Sequence, residues 1–415
     1  MQSVRGQSIA TVLNDPTVFA DELATLRGRD SEPDALRIRA NNRAYFSQGA
    51  QSVLGLQFIG ADMLHQIELG VRYHEDQEDR FQHEDAFQMV AGEMVLTAKG
   101  APSSQSNQVN AARALAVFLE DQISFGAFTV TPGLRYETIA FERTTYASDD
   151  PTRVAPANVQ GHSVEVLIPG VGVSYQWRPG VSVFGGVHRG FAPPGPGASE
   201  QAEAERSVNY EVGGRYQTRK LRVQLVGFFN DYGNILGVST LATGETGSGD
   251  LFNGGEVNVL GFELSANYDP LSQWHTIHLP VSVSLTYTSA TFRTSFQSTY
   301  EPWGAVAAGD ELPYLPALQF YTSLGITSPE WRVMIGANYQ SSMRTVAGRG
   351  SVPQSEKADA FLNLSVSGEY ALSPWTSAFI AIQNLTNEHH VAARRPAGAR
   401  PRLPRSAMAG LRLRL

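Results

Sequence analysis

Short turns and long connections alternate along this chain, and tryptophan marks the short ones. Trp177 is followed by Arg178-Pro179-Gly180, and Trp274 follows Pro270-Leu271-Ser272-Gln273. Trp331 follows Ser328-Pro329-Glu330, and Trp375 follows Ser373-Pro374. Four of the five tryptophans therefore sit at tight turns between strand-like runs. A water-soluble barrel has no reason to gather its indoles at one rim. A transmembrane β-barrel does, because the amphipathic ring prefers the membrane interface.

Strand runs are read from period-two alternation. Leu221, Val223, Leu225, Gly227 and Phe229 alternate with Lys220, Arg222, Gln224 and Asn230. Val281, Val283, Leu285 and Tyr287 alternate with Ser282, Ser284, Thr286 and Thr288. The same holds from Trp331 to Gln340 and from Leu362 to Tyr370. One face is apolar and the other polar. A sandwich would bury the apolar face, whereas a membrane barrel turns it out to lipid and the polar face into a lumen. Alternation alone leaves both open; loop length decides between them.

The pattern predicts strands at 42–60, 62–77, 107–124, 126–143, 163–178, 180–190, 205–218, 220–234, 256–269, 275–292, 313–327, 330–344, 357–371, 374–386 and 405–415, with one more within 2–13. That makes sixteen. Connections near 61, 125, 179, 219, 272, 329 and 373 are short. Those at 14–41, 78–106, 144–162, 191–204, 235–255, 293–312, 345–356 and 387–404 are long. Outer-membrane barrels are built this way, with tight periplasmic turns and large outside loops. The expected fold is an all-β transmembrane antiparallel β-barrel, one domain over 1–415.

Composition closes other routes. Charged residues are 17% of the 415, low for a soluble enzyme of this length. There is no cysteine, so no disulfide framework or Cys-ligated metal. A net charge of -8 argues against nucleic acid. No apolar run approaches the roughly 20 residues of a membrane helix. A chain of this kind spans a bilayer only as a closed barrel. The start, Met1-Gln2-Ser3-Val4-Arg5-Gly6, has no apolar segment of a secretory signal, so the expectation is either a chain that starts after processing or the C-terminal part of something longer.

Several motifs recur in order: Val187-His188-Arg189-Gly190-Phe191-Ala192-Pro193-Pro194, Asn209-Tyr210-Glu211-Val212-Gly213-Gly214-Arg215-Tyr216, Gly261-Phe262-Glu263-Leu264, Pro313-Tyr314-Leu315-Pro316 and Asn384-Leu385-Thr386-Asn387. Together they resemble the barrel of TonB-dependent outer-membrane receptors. The stretch Arg394 to Arg405, with Arg395, Arg400 and Arg402, is similar to the branch that includes the ferric dicitrate receptor. The resemblance implies a 22-stranded barrel filled by an N-terminal plug. About sixteen strands would be present here, with the plug and first strands missing. It further implies an outer-membrane receptor for a ferric siderophore, ferric citrate first among candidates. Coupling would run to the TonB–ExbB–ExbD system through the missing N-terminal segment. One departure is the end of the chain: Ala407, Ala409, Leu411, Leu413 and Leu415 keep the alternation, but the last residue is not aromatic. A passive 16-strand porin and a truncated, non-transporting barrel fragment remain alternatives.

No catalytic motif is present, neither Gly-x-Ser-x-Gly nor His-Glu-x-x-His nor a P-loop, and no cofactor is implied. Gly244 to Asp250 reads as a flexible outside loop. His74, Glu75, Asp76, Glu78, Asp79, His83, Glu84 and Asp85 fall in one expected loop. Carboxylate and imidazole could hold a cation there, yet the spacing fits no defined metal loop, and a solvated acidic loop facing lipopolysaccharide is preferred. Arg37, Arg39 and Arg43 share odd parity and are expected on the lumenal face near the outer mouth. Arginine grips carboxylates bidentately, which suits an anionic, carboxylate-rimmed ferric citrate; structural ion pairing is the competing reading. Arg113 is a further candidate, although its parity matches Leu115 and Val117 on the lipid face. His188 is expected on the lumenal wall. Arg135 is expected to pair with Glu120 or Glu137. The basic run Arg394 to Arg405 could focus an anionic ligand or hold lipopolysaccharide phosphates.

Overall fold

A computed structural model describes residues 3–196, 198, 204–238, 251–273, 276–395 and 397–414. Among them one antiparallel meander dominates. Its strands are β1 (Arg43–Gly60), β2 (Met63–Val90), β3 (Ser106–Phe125), β4 (Phe128–Tyr146), β5 (Pro156–Arg178), β6 (Val181–Ala192), β7 (Glu205–Gln217) and β8 (Leu221–Gly233). It continues through β9 (Val257–Tyr268), β10 (Val281–Phe292), β11 (Leu318–Thr327), β12 (Trp331–Gln340), β13 (Phe361–Ser373), β14 (Thr376–Gln383) and β15 (Ser406–Leu413). Each strand pairs with its successor in the chain.

Register aligns the alternating faces. Leu54, Leu69, Leu119 and Leu134 stand in one row across β1 to β4, and each is about half exposed. The row beside it carries Gly55, Glu68, Glu120 and Gly133. Large aliphatic side chains in water would be a liability; on a lipid-facing wall they are the requirement. Aromatic rows bound the band. Phe128, Trp177, Tyr216 and Tyr268 stand near the short turns, and Tyr136, Tyr210 and Phe262 stand further up. Tyr210 and Tyr216, or Phe128 and Tyr136, are six to eight residues apart, about 20–26 Å along a strand. At the tilt of about 35–45° of such strands this is roughly 14–21 Å of depth, within an apolar band of about 25 Å.

The short turns fall where they are expected, and their backbone explains why they are short. Ala61 and Asp62 both adopt positive φ (51° and 62°), the hairpin turn whose twist matches its strands. Trp177 and Trp375 lie at such turns and are 71% and 69% exposed. Trp331 opens β12 beside another, and Trp274 lies outside the described residues.

Two expectations need correction. No barrel strand forms within 2–13. Ser3–Val4 and Gln7–Ser8 make a small hairpin, followed by α1 (Ile9–Asn14) and α2 (Ala20–Leu26). Ser8 caps α1 by accepting from the Thr11 amide at 3.0 Å. Val4, Val12 and Leu36, apolar at strand-like spacing, instead meet Met89 in a small buried cluster. Nor is 78–106 a long loop. β2 continues to Val90, turns at Ala91 and Gly92, and returns as Glu93–Ala98. The strand Leu36–Ala40 lies on its other side. The charges that suggested a loop are accommodated because this extension rises beyond the aliphatic band.

The N-terminal helix α1 approaches the last outside loop. A Cβ added to Gly398, in the last outside loop, would lie 2.7 Å from Leu13 of α1. Among the described residues β1 pairs only with β2, and β15 only with β14.

Candidate ligand-binding site at the mouth

The inner faces of β1 to β4 form one wall of the outer mouth. By alternation Arg43, Tyr45, Glu78, Arg80, Asn110 and Arg143 all point inward there. Glu78 is the hub. It accepts from Arg43 Nη1 at 2.7 Å, Arg80 Nε at 2.9 Å, Asn110 Nδ2 at 3.0 Å and Tyr45 Oη at 3.2 Å. Arg143 Nε donates to Asn110 Oδ1 at 2.9 Å, and its Nη2 reaches the Pro196 carbonyl at 2.6 Å. Glu78 thus binds two guanidiniums directly and a third, Arg143, through Asn110. A cavity of about 930 Å³ lies among Tyr45, Glu78, Arg80, Asn110, Arg143 and the Ala192-Pro193 segment.

A second cavity of about 860 Å³ opens under the outside loops. Tyr232, Tyr300, Trp303 and Tyr314 line it with Arg395 and Arg400. Trp303 is buried against Phe292, Phe296 and Tyr300 in edge-on contacts, so this fifth tryptophan builds a loop core rather than an interfacial anchor. Arg395 is held to Glu301 at 2.6 Å. Arg402 lies 3.4 Å over the Phe361 ring, where burial pushes its pKa below the usual arginine range. Glu205 and Leu236 border both cavities, and Glu205 Oε2 accepts the Leu236 amide at 3.2 Å.

The sequence-derived candidates divide. Arg37, Arg39 and Arg43 share one face along β2, opposite Ala86, Glu84 and Arg80 in register. Arg39 stands 3.8 Å from Glu84. Arg113 faces outward above the band, largely exposed, and binds Glu75 at 3.0 Å. His188 lines a deeper cleft of about 780 Å³ with Glu120, Arg135, Glu211 and Arg215. Register places His188 level with Gly55, twelve residues along β1 from Arg43, so it does not join the arginine ladder. Arg135 pairs with Glu137 at 2.6 Å. The acidic run from His74 to Asp85 is strand, so its side chains alternate between faces. Among the described residues no cluster of three His, Asp or Glu could hold a metal. The Gly244–Asp250 segment lies outside the described residues.

Sequence reading missed Tyr45, Arg80, Asn110 and Arg143 at the mouth. Parity would have found Arg80 had 78–90 been read as strand, whereas Tyr45, Asn110 and Arg143 already lay at inward positions of the strands read at 42–60, 107–124 and 126–143.

An exposed aliphatic belt, aromatic rims, a polar interior and short turns at one end define an outer-membrane-type β-barrel wall. The family model described as TonB dependent receptor-like, beta-barrel, matches residues 10–385, and the chain belongs to that family. Solved structures agree on the fold. The siderophore receptor PiuA from Acinetobacter baumannii superposes with a TM-score of 0.70 at 14% identity, over 89% of this chain and 56% of that one. The ferric citrate transporter FecA in its unliganded form gives 0.68 at 17% identity, over 91% and 55%. The ferric-catecholate import receptor Fiu from K12 E. coli gives 0.68 at 17%, over 90% and 55%. The chain therefore spans about half the length of these relatives.

Proposed function

We propose that this chain is the ligand-capturing wall of an outer-membrane, TonB-dependent receptor for a ferric siderophore, with ferric citrate as the particular ligand. The observation that carries the reading is the mouth itself, where Arg43 and Arg80 bind Glu78 and Arg143 joins them through Asn110, in a cavity that Asp76 and Glu205 also line. Three guanidiniums in one patch can grip the carboxylates of an anionic chelate, and the cavity is of small-ligand size. Arg37 and Arg39 continue the ladder outward and would receive the ligand first. His188 would meet it deeper in the lumen, while Arg113 is oriented to the lipid headgroup level, where lipopolysaccharide phosphate is its natural partner. The role is capture and passage rather than catalysis. Energised uptake would require a plug and a TonB-contacting segment joined to this wall.

Titration calorimetry with ferric citrate tests the reading. Arg39 and Arg43 changed together to Ala should weaken binding on the order of a hundredfold, since each charge-assisted hydrogen bond contributes roughly 1.5–3 kcal/mol. Lys at both positions should restore part of it, keeping charge without the fork. An unchanged dissociation constant in a folded double-Ala variant would make both arginines structural.

A further inference from the structure

A separate group of arginines lies at the opposite end of the lumen, by the short turns. Arg215 of β7 and Arg222 of β8 point inward, and Arg219 sits in the turn between them. They share a cavity of about 730 Å³ with Gln176, Ser182 and Thr218. Its floor is fixed by Gly180, at φ 79°, where a Cβ would lie 2.3 Å from the Gln217 carbonyl.

The lining of this cavity carries no carboxylate; Glu211, four residues along β7 from Arg215, lines the deeper cleft above it. The inward row through Arg215 reads Gln176, Ser182, Arg215, Gln224, Ser265 and Ser284. Arg222 stands opposite Asn267, which pairs with Ser282. Arg215 donates to the neutral amide of Gln224 at 2.9 Å and stacks 4.3 Å over the Phe184 ring, which holds its fork open to the cavity. Several other inward arginines of this wall have a carboxylate: Arg43 has Glu78, Arg135 has Glu137, and Arg332 and Arg412 share Glu369. Among the described residues no ion pair is made by Arg215, Arg219 or Arg222.

We propose that Arg215, Arg219 and Arg222 form a second anion-binding site at the short-turn end of the lumen, for a small polyanion bearing carboxylates or phosphates. The Arg215 fork held against Phe184, with Arg219, Arg222 and the Ser182 hydroxyl beside it, gives such an anion both charge and directed hydrogen bonds. The site stands whether or not the mouth captures ferric citrate.

Inorganic pyrophosphate is the probe. On the unaltered chain in detergent, phenylglyoxal modification read by peptide mass spectrometry should show Arg215, Arg219 and Arg222 protected by pyrophosphate, with outward-facing Arg113 modified as before. Calorimetric affinity should fall on the order of a hundredfold in an R215Q/R222Q variant and recover partly in R215K/R222K. It should stay unchanged in R39A/R43A, which separates this site from the mouth. Equal modification with and without pyrophosphate would overturn the proposal without any variant being needed. So would an acidic peptide that displaces pyrophosphate and binds more tightly, since the occupant would then be polypeptide.

Discussion

Arg153 grips Asp79 with both guanidinium nitrogens, at 2.8 and 2.6 Å, and thereby ties the loop after β4 to the rising extension of β2. Its Nε donates to Asn107 at 2.8 Å, and its guanidinium lies 5.3 Å from both the Phe81 and Tyr146 rings. Asp79 holds the pKa of Arg153 above the usual value, against the opposing effect of burial. Arg153 itself occupies the left-handed backbone region, φ 55°, which costs about 1 kcal/mol or more in a residue of this kind. The bidentate pair offsets that strain. Arg153→Ala should therefore free residues 147–155 and lose about 2–3 kcal/mol locally. Limited proteolysis should cut this loop first, with the barrel core intact; an unchanged cleavage pattern would deny the tie.

Glu78 offers a test of opposite sign. Glu78→Gln removes the carboxylate that Arg43 and Arg80 both bind at the mouth while keeping a hydrogen-bonding group of the same shape. Anion affinity should rise, by roughly tenfold for 1.4 kcal/mol of relieved competition. A fall would show that Glu78 serves mainly to orient the guanidiniums.

Acid should loosen the turn between β9 and β10. Asp269 accepts from His278 Nδ1 at 2.8 Å and from the Leu271 and Leu279 amides at 3.0 and 3.2 Å. Burial would raise its pKa, but these donors outweigh it and hold it below 3.8. A depressed carboxylate contributes stability in full above its unfolded value and loses it as pH falls through the folded one. Hydrogen exchange at the Leu279 amide should accelerate only below about pH 4. Asp269→Asn should abolish that step; a step that persists in this variant would deny the role of Asp269.

Brominated lipids should report the membrane position directly. Trp177 and Trp375 are exposed at short turns, so headgroup-proximal bromines should quench them more than bromines deep in the acyl chains. Trp303, 5% exposed within its loop cluster, should not be quenched. Single-tryptophan variants separate the signals.

Most of the wall was legible because it depends on local rules. Alternation over residues such as Leu221 to Phe229 sets which face meets lipid, and Gly180 or Asp62 sets where the chain reverses. The region around 78–106 was not legible, because charge there says only that the segment is solvated, and a strand standing above the membrane is solvated too. Likewise Val4, Val12 and Leu36 look like strand residues until α1 and α2 fold over Met89, a tertiary contact with no local signature. At the mouth, parity placed Arg43 correctly, but its bond to Glu78 depends on the register of β1 against β2, which sequence does not give.

Direction has a consequence for how the wall can seal. β1 and β15 bound a meander in which every step reverses the chain, and their labels are both odd, so the two edge strands point the same way. Joined directly, they would form one parallel seam in an otherwise antiparallel cylinder. A seam that keeps the alternation needs an odd number of further strands between them, entering beside β1 and leaving beside β15. Whatever polypeptide completes the circuit must begin and end on opposite faces of the membrane.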